Sequence, residues 1–234
     1  MATFVLIPGA GGDGWFWHRL VPELESRGHD VVAVTLPAGD DAAGWAEYAD
    51  AIVRAVGDRT DLTLVAQSLA GFSAPLACER LPVDLLVLLN AMIPQPGETG
   101  NDWWSNTGQG SAQRDYLAEL GLSTESANDD AVVYFHDVPD AVTAEAYRRG
   151  EPDQTMTPMR QPWPLSAWPD VPTRVLVGRD DRLFPATFQR RVARERRGLE
   201  PDEIDGGHLV AMSRPAELAE RLDLLRGTVE RQRT

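Results

Sequence analysis

The 234-residue chain contains no lysine, so all 22 of its basic side chains apart from the histidines are arginines. That absence removes Schiff-base chemistry on a lysine amine, the phosphate-gripping lysine of a Walker A loop, and any dehydrogenase built on a Tyr/Lys pair. Positive charge as a whole is scarce. The 36 acidic residues leave a formal net charge of −14, and no arginine-rich run carries interleaved aromatics, so nucleic acid and anionic membrane surfaces are poor partners. The single cysteine, Cys78, can form no internal disulfide and offers no zinc cluster, which suits a reducing compartment. The adjacent carboxylates Asp180 and Asp181 lack companions at metal-ligand spacing, so neither a metal nor another cofactor is expected. No apolar run is long enough to span a membrane, and Met1-Ala-Thr leads into a strand without a basic segment. The expectation is a cytoplasmic protein that acts on a small molecule.

What is present is an alternation of apolar strands and helices. Phe4 to Ile7, Val31 to Leu36, Leu62 to Ala66, Val83 to Leu89, Thr173 to Val177 and a short stretch near Glu203-Ile204 read as strands. Trp15 to Arg27, Trp45 to Val56, a segment ending near Arg80, Pro185 to Arg197 and a last segment from Ser213-Arg-Pro215 read as helices between them. Near-continuous apolar strands imply a mostly parallel sheet covered by helices on both faces, an α/β fold in one domain spanning residues 1–234. Between Asn90 and Asp170 the rhythm lapses for about eighty residues, the length of a lid or binding segment. Residues 91–170 are therefore expected to form an inserted helical cap, with Gly97 to Gly110 as a loop. Four of the seven tryptophans fall in this stretch. Its aromatic side chains Trp103, Trp104, Tyr134, Phe135 and Trp163 either line an apolar pocket or build the insertion's own small core.

The chemistry concentrates in three loops. Thr63-Leu-Val-Ala-Gln-Ser-Leu-Ala-Gly71 runs a strand into Ser68 and directly into a helix, with small neighbours Ala66, Ala70 and Gly71. A tight strand-to-helix turn holds a serine hydroxyl clear of the backbone, the arrangement of a nucleophile elbow, although a serine between alanines also fits a helix N-cap. Serine needs a base, and the base needs an acid to hold it. Gly178-Arg-Asp-Asp-Arg-Leu-Phe-Pro185 places Asp181, with Asp180 as an alternative, just past a strand end. Asp205-Gly-Gly-His-Leu-Val-Ala-Met-Ser-Arg-Pro215 places His208 on a glycine loop before the last helix. Ser, Asp, His is one of the chain orders in which this constellation occurs.

Over nearly its whole length the chain resembles the α/β-hydrolase superfamily, and within it the methylesterase and hydroxynitrile lyase branch. The likeness rests on Pro8-Gly-Ala-Gly-Gly-Asp-Gly-Trp-Phe-Trp17, Gly28-His-Asp-Val-Val-Ala-Val-Thr-Leu36, the elbow, and Gly207-His-Leu-Val-Ala-Met-Ser-Arg-Pro215. The resemblance implies a serine hydrolase with Ser68 as nucleophile, His208 as base and Asp181 as its orienting acid. It also implies an oxyanion hole from the backbone N–H groups of Ala10 and Leu69, and a homodimer as the frequent assembly of the branch. The chain departs from its relatives at Pro8, where they usually carry His, and at Gln67, where they carry His or Glu. Lyases of the branch carry a lysine after the catalytic histidine and a hydroxyl residue in the first loop. The corresponding Leu209 and Gly9 look esterase-like, with Gly9 expected beside the substrate.

Three other readings compete. Gly9-x-Gly11-x-x-Gly14 matches a dinucleotide fingerprint, yet the second strand ends in Thr35-Leu36 where a ribose-binding acid is needed. Cyanohydrin or other C–C bond cleavage would use the same three side chains, and a low-turnover receptor would share the fold. Of the remaining candidates, His18, His29, Asp129, Asp130 and Asp137 read as surface groups, Cys78 as core packing, and His136 as an ordinary residue of the insertion, with reach into the pocket as the alternative.

Overall fold

The structure is a computed structural model that describes residues 1–150 and 153–233. Six strands form one sheet in which every pairing is parallel: β1 (Thr3–Ile7), β2 (Asp30–Ala33), β3 (Leu62–Gln67), β4 (Val83–Leu89), β5 (Thr173–Gly178) and β6 (Asp202–Ile204). Their order across the sheet is β2-β1-β3-β4-β5-β6. The chain moves from β1 outward to β2, returns past β1 to β3, and then proceeds to the opposite edge. The reversal leaves a crevice between the carboxyl ends of β1 and β3, the place where open α/β sheets bind ligands. Ile7 pairs with Ala66 at that point, so the glycine loop after β1 and the turn after β3 emerge side by side.

Alternation along each strand divides the core. Phe4 and Leu6 face the layer that contains Leu20, Leu24, Leu218 and Leu222, whereas Val5 and Ile7 face the layer with Trp45, Ile52 and Phe72. The second strand stops sooner than its apolar run suggests, because the Leu36 N–H turns away to donate to the Gly12 carbonyl at 2.8 Å. The first crossover is likewise divided, into a 3₁₀ turn over Gly14–Trp17, capped by the Asp13 side chain, and an α-helix over Leu20–Glu25. Pro22 falls in that helix's first turn, where a missing N–H costs nothing.

Between β4 and β5 the chain is helical, with segments at Gly100–Thr107, Gln109–Glu119, Asp130–Val133, Asp140–Arg149 and Thr157–Arg160. The loop expected over Gly97 to Gly110 is instead two helices meeting at Gly108. Thr99 Oγ1 accepts from the Asp102 N–H and starts the first, and Gly108, at φ 67°, ends it in the left-handed conformation that glycine adopts without strain. Burial of Trp103 supplies the packing that a short helix needs. No helix among the described residues is long and apolar enough to cross a membrane.

Candidate active site

The turn after β3 is tight enough to force Ser68 to φ 52°, a left-handed conformation that side chains avoid. The Ser68 carbonyl accepts from the N–H groups of Gly71 and Met92, which locks the turn. Gly71 is irreplaceable here, since a Cβ on it would sit 1.7 Å from the Met92 carbonyl oxygen. The helix Ala70–Cys78 then packs with every residue buried, and Cys78 belongs to that packing.

Asp181 and His208 come from the loops after β5 and β6. Asp181 is completely buried; its Oδ1 accepts from the Leu183 and Phe184 N–H groups at 2.9 and 2.8 Å. Its Oδ2 faces His208 Nδ1 at 2.8 Å and also accepts from Gln189 Nε2 at 3.3 Å. A carboxylate can only accept, so Nδ1 is the donor in this contact, and in the neutral imidazole the lone pair falls on Nε2. The imidazole is further held by the edges of Phe184 and Tyr134, at 5.1 and 5.7 Å between ring centres. Asp180, the alternative acid, is exposed and accepts from the Gly206 N–H.

Ser68 and His208 line the same cleft, of about 970 Å³, together with Pro8, Gly9, Ala10 and Gly11. Tyr134 and Phe135 line it as well. The N–H groups of Ala10 and Leu69 have no hydrogen-bond acceptor among the described residues; Ala10 lines the cleft, and Leu69 follows Ser68 outside its lining. Trp103, Trp104 and Trp163 stand elsewhere. Trp103 and Trp163 are fully buried and donate their indole N–H to the Ile93 and Phe72 carbonyls, and Trp104 packs on Trp103 and Phe184. An indole with an N–H to satisfy is as well suited to packing between elements as to lining a pocket, and here Trp163 docks on the helix after β3 while Trp103 packs on Phe184.

Several side chains that matter to the site carried no sequence signal. Asn90, directly after β4 at φ 45°, donates through Nδ2 to the Gly207 and His208 carbonyls at 3.1 and 3.2 Å and accepts the Gly178 N–H on Oδ1. Asp137, expected in solvent, instead takes the Gly207 N–H on Oδ2 at 2.7 Å, because the insertion folds down onto the histidine loop. His136 lies outside the cleft lining; burial, aided by the Arg182 charge, holds its pKa below the ordinary value. His29 is not at the surface either: Nε2 meets Asp223 Oδ1 at 2.8 Å and its ring packs on Phe4. His18 is exposed, as expected.

This geometry accords with what the chain is similar to. The alpha/beta hydrolase family model matches residues 4–221, and the chain belongs to that family. It is 24% identical to Methylesterase 3 of Arabidopsis thaliana over 242 residues, covering 92% of each chain. To the Alpha-hydroxynitrile lyase of the same plant it is 24% identical over 254 residues, covering 95% of this chain and 96% of the relative. Among solved structures, polyneuridine aldehyde esterase superimposes with a TM-score of 0.76 at 20% identity, covering 96% of this chain and 99% of that one. The relatives thus lie in the methylesterase and hydroxynitrile lyase branch that the motifs resemble.

Proposed function

We propose that the protein is a serine hydrolase that cleaves carboxylic esters of small to medium hydrophobic substrates. The observation that carries this reading is the pairing of His208 with buried Asp181 in the cleft that also exposes Ser68 at a left-handed elbow. Ser68 Oγ attacks the ester carbonyl while His208 Nε2 takes its proton, and the Asp181 carboxylate stabilises the imidazolium that results. The carbonyl oxygen, now negative, is held by the Ala10 and Leu69 N–H groups, donors whose fixed position is worth several kcal/mol in such reactions. His208 returns the proton to the departing alkoxide, leaving the acyl group on Ser68. Water, deprotonated by His208, then releases the acid.

The helical insertion acts as the cap of this site, supplying Tyr134, Phe135, Ala146 and Tyr147 to a cleft that Trp15 and Phe16 also line. Rings and a methyl group around the reacting centre favour an apolar ester. The lyase-named relative keeps C–C cleavage as the rival. Leu209, beside His208 in the cleft, presents no cation to a departing cyanide, which favours the hydrolase.

The test is hydrolysis of p-nitrophenyl esters from acetate to octanoate by the protein and by Ser68→Ala. Turnover that falls on the order of 10⁶-fold in the variant is expected. Equal turnover without Ser68, or none with it alongside cyanohydrin cleavage, overturns the assignment.

A further inference from the structure

The loop after β1 is soft by composition and rigid in the fold. Gly11 and Gly12 take φ values of 81° and 63°, and such a glycine-rich stretch has unusual backbone freedom to lose. Three of its four successive N–H groups from Gly9 to Gly12 are nevertheless engaged. The Gly9 N–H donates to Gln67 Oε1 at 3.1 Å, the Gly11 N–H to Gln154 Oε1 at 3.0 Å, and the Gly12 N–H to the Gly9 carbonyl at 3.1 Å. The Ala10 N–H alone has no acceptor among the described residues.

We infer that Gln67 and Gln154 are positioning residues that clamp this loop from two sides and so aim the Ala10 N–H into the cleft. The inference rests on the hydrolase reading above and deepens it. The Gly9 carbonyl and the Ala10 N–H belong to one planar peptide and point in opposite directions. Drawing the Gly9 carbonyl toward Gly12 therefore turns the Ala10 N–H the other way, and the two glutamines fix the peptide planes on either side.

Each glutamine is itself anchored, so it transmits order and does not borrow it. Gln67 is buried, and its Nε2 donates to the His208 carbonyl at 3.4 Å, tying the first loop to the histidine loop. Gln154 comes from the insertion, 143 residues from its partner. Its Nε2 donates to Tyr48 Oη at 3.1 Å and to the Thr155 carbonyl at 2.9 Å. The segment that carries it is pinned along the loop after β2, with the Thr155 N–H on the Ala38 carbonyl and Thr157 Oγ1 on the Asp41 carbonyl, both at 2.8 Å. Both clamps are neutral amides, which accept an N–H without setting a negative charge beside the oxygen that Ala10 would hold. The insertion thus contributes to the geometry of the reacting centre as well as to the cleft wall.

The experiment compares the wild type with Gln154→Met, which keeps the side chain's length and removes its hydrogen bonds, and with Tyr48→Phe, which removes one anchor of Gln154. Three readouts are taken: p-nitrophenyl butyrate kinetics, inhibition by a trifluoromethyl ketone relative to the matching methyl ketone, and amide hydrogen exchange over residues 9–12. In Gln154→Met, kcat should fall roughly tenfold with little change in KM, a fraction of the effect of deleting an oxyanion donor outright. Affinity for the trifluoromethyl ketone, which forms an oxyanion on Ser68, should fall by the same factor while the methyl ketone is unaffected. Exchange at Gly11 should speed up, and Tyr48→Phe should shift all three in the same direction by less. Unchanged kcat and unchanged exchange in Gln154→Met overturn the inference while leaving the hydrolase intact. So does a loss shared equally by both ketones, which marks Gln154 as a substrate contact. A wild type that hydrolyses no ester removes the hydrolase reading itself, and the exchange data then report only whether the loop is clamped.

Discussion

Asn90 Oδ1 accepts the Gly178 N–H at 2.7 Å and so joins the carboxyl ends of β4 and β5. The other end of the same carboxamide holds the Gly207 and His208 carbonyls. One buried side chain therefore sets the spacing between the strand end that leads to Asp181 and the loop that carries His208. Asn90→Ala would leave the buried Gly178 N–H and Gly207 carbonyl without partners, each costing about 1–3 kcal/mol before relaxation, while the His208 carbonyl keeps Gln67. We expect a loss of about 3 kcal/mol in urea unfolding and a fall in esterase kcat at temperatures where the variant is folded. Full activity with wild-type stability would remove Asn90 from the scaffold of the site.

Strain at Ser68 makes a second prediction, on stability alone. A left-handed φ costs a side-chain-bearing residue about 1–2 kcal/mol and glycine nearly nothing. Ser68→Gly and Ser68→Ala should be equally inactive, yet the glycine variant should be the more stable by about 1 kcal/mol. Thermal unfolding of the pair decides it, and an alanine variant as stable as the glycine variant would mean that the elbow is unstrained.

The third concerns pH. Glu98 and Arg196 form a buried pair, with Nη2 to Oε1 at 2.9 Å. Burial by itself would raise the Glu98 pKa. Hydrogen bonds from Arg196 and Asn106, the Arg196 charge and the Gln95 N–H outweigh it and hold the carboxyl below its ordinary 4.5. A depressed folded-state pKa contributes stability that is complete above the unfolded value and is lost as pH falls through the folded one. Glu98→Gln, which strands Arg196, should cost about 3 kcal/mol at pH 7. The gap between variant and wild type in denaturant titrations should close only below about pH 4.5. A gap independent of pH would contradict the ionised pair.

Fourth, Cys78 should be inert. Burial, with a smaller contribution from the Glu79 charge, pushes its thiol up to about 12. Since the thiolate is the reactive form, Cys78 should resist Ellman's reagent at pH 8 in the native protein and react on addition of urea. Rapid labelling without denaturant would refute this.

The sequence by itself determined the layers of the fold and the three loops from which the candidate catalytic groups come. Buried parallel strands must be apolar on both faces, so β1, β3, β4 and β5 announce themselves. Small residues around Ser68 and glycines before His208 mark turns that the backbone cannot make otherwise. Tertiary structure decided what local pattern leaves open. Asp180 and Asp181 are neighbours of one chemistry, and only the path of the loop after β5 brings Asp181 to His208. Trp103, Trp163 and Tyr134 are equally aromatic, yet two dock the insertion and one faces the imidazole, because the Trp163 indole N–H found the Phe72 carbonyl and Trp103 packs on Phe184 and Phe188. Gln154 lies in a segment without periodicity and meets Gly11 only when the insertion folds back across the first loop. Hydrophobic periodicity records which face of an element is buried, whereas a hydrogen bond across 143 residues records where two loops meet, and only the assembled chain holds that information.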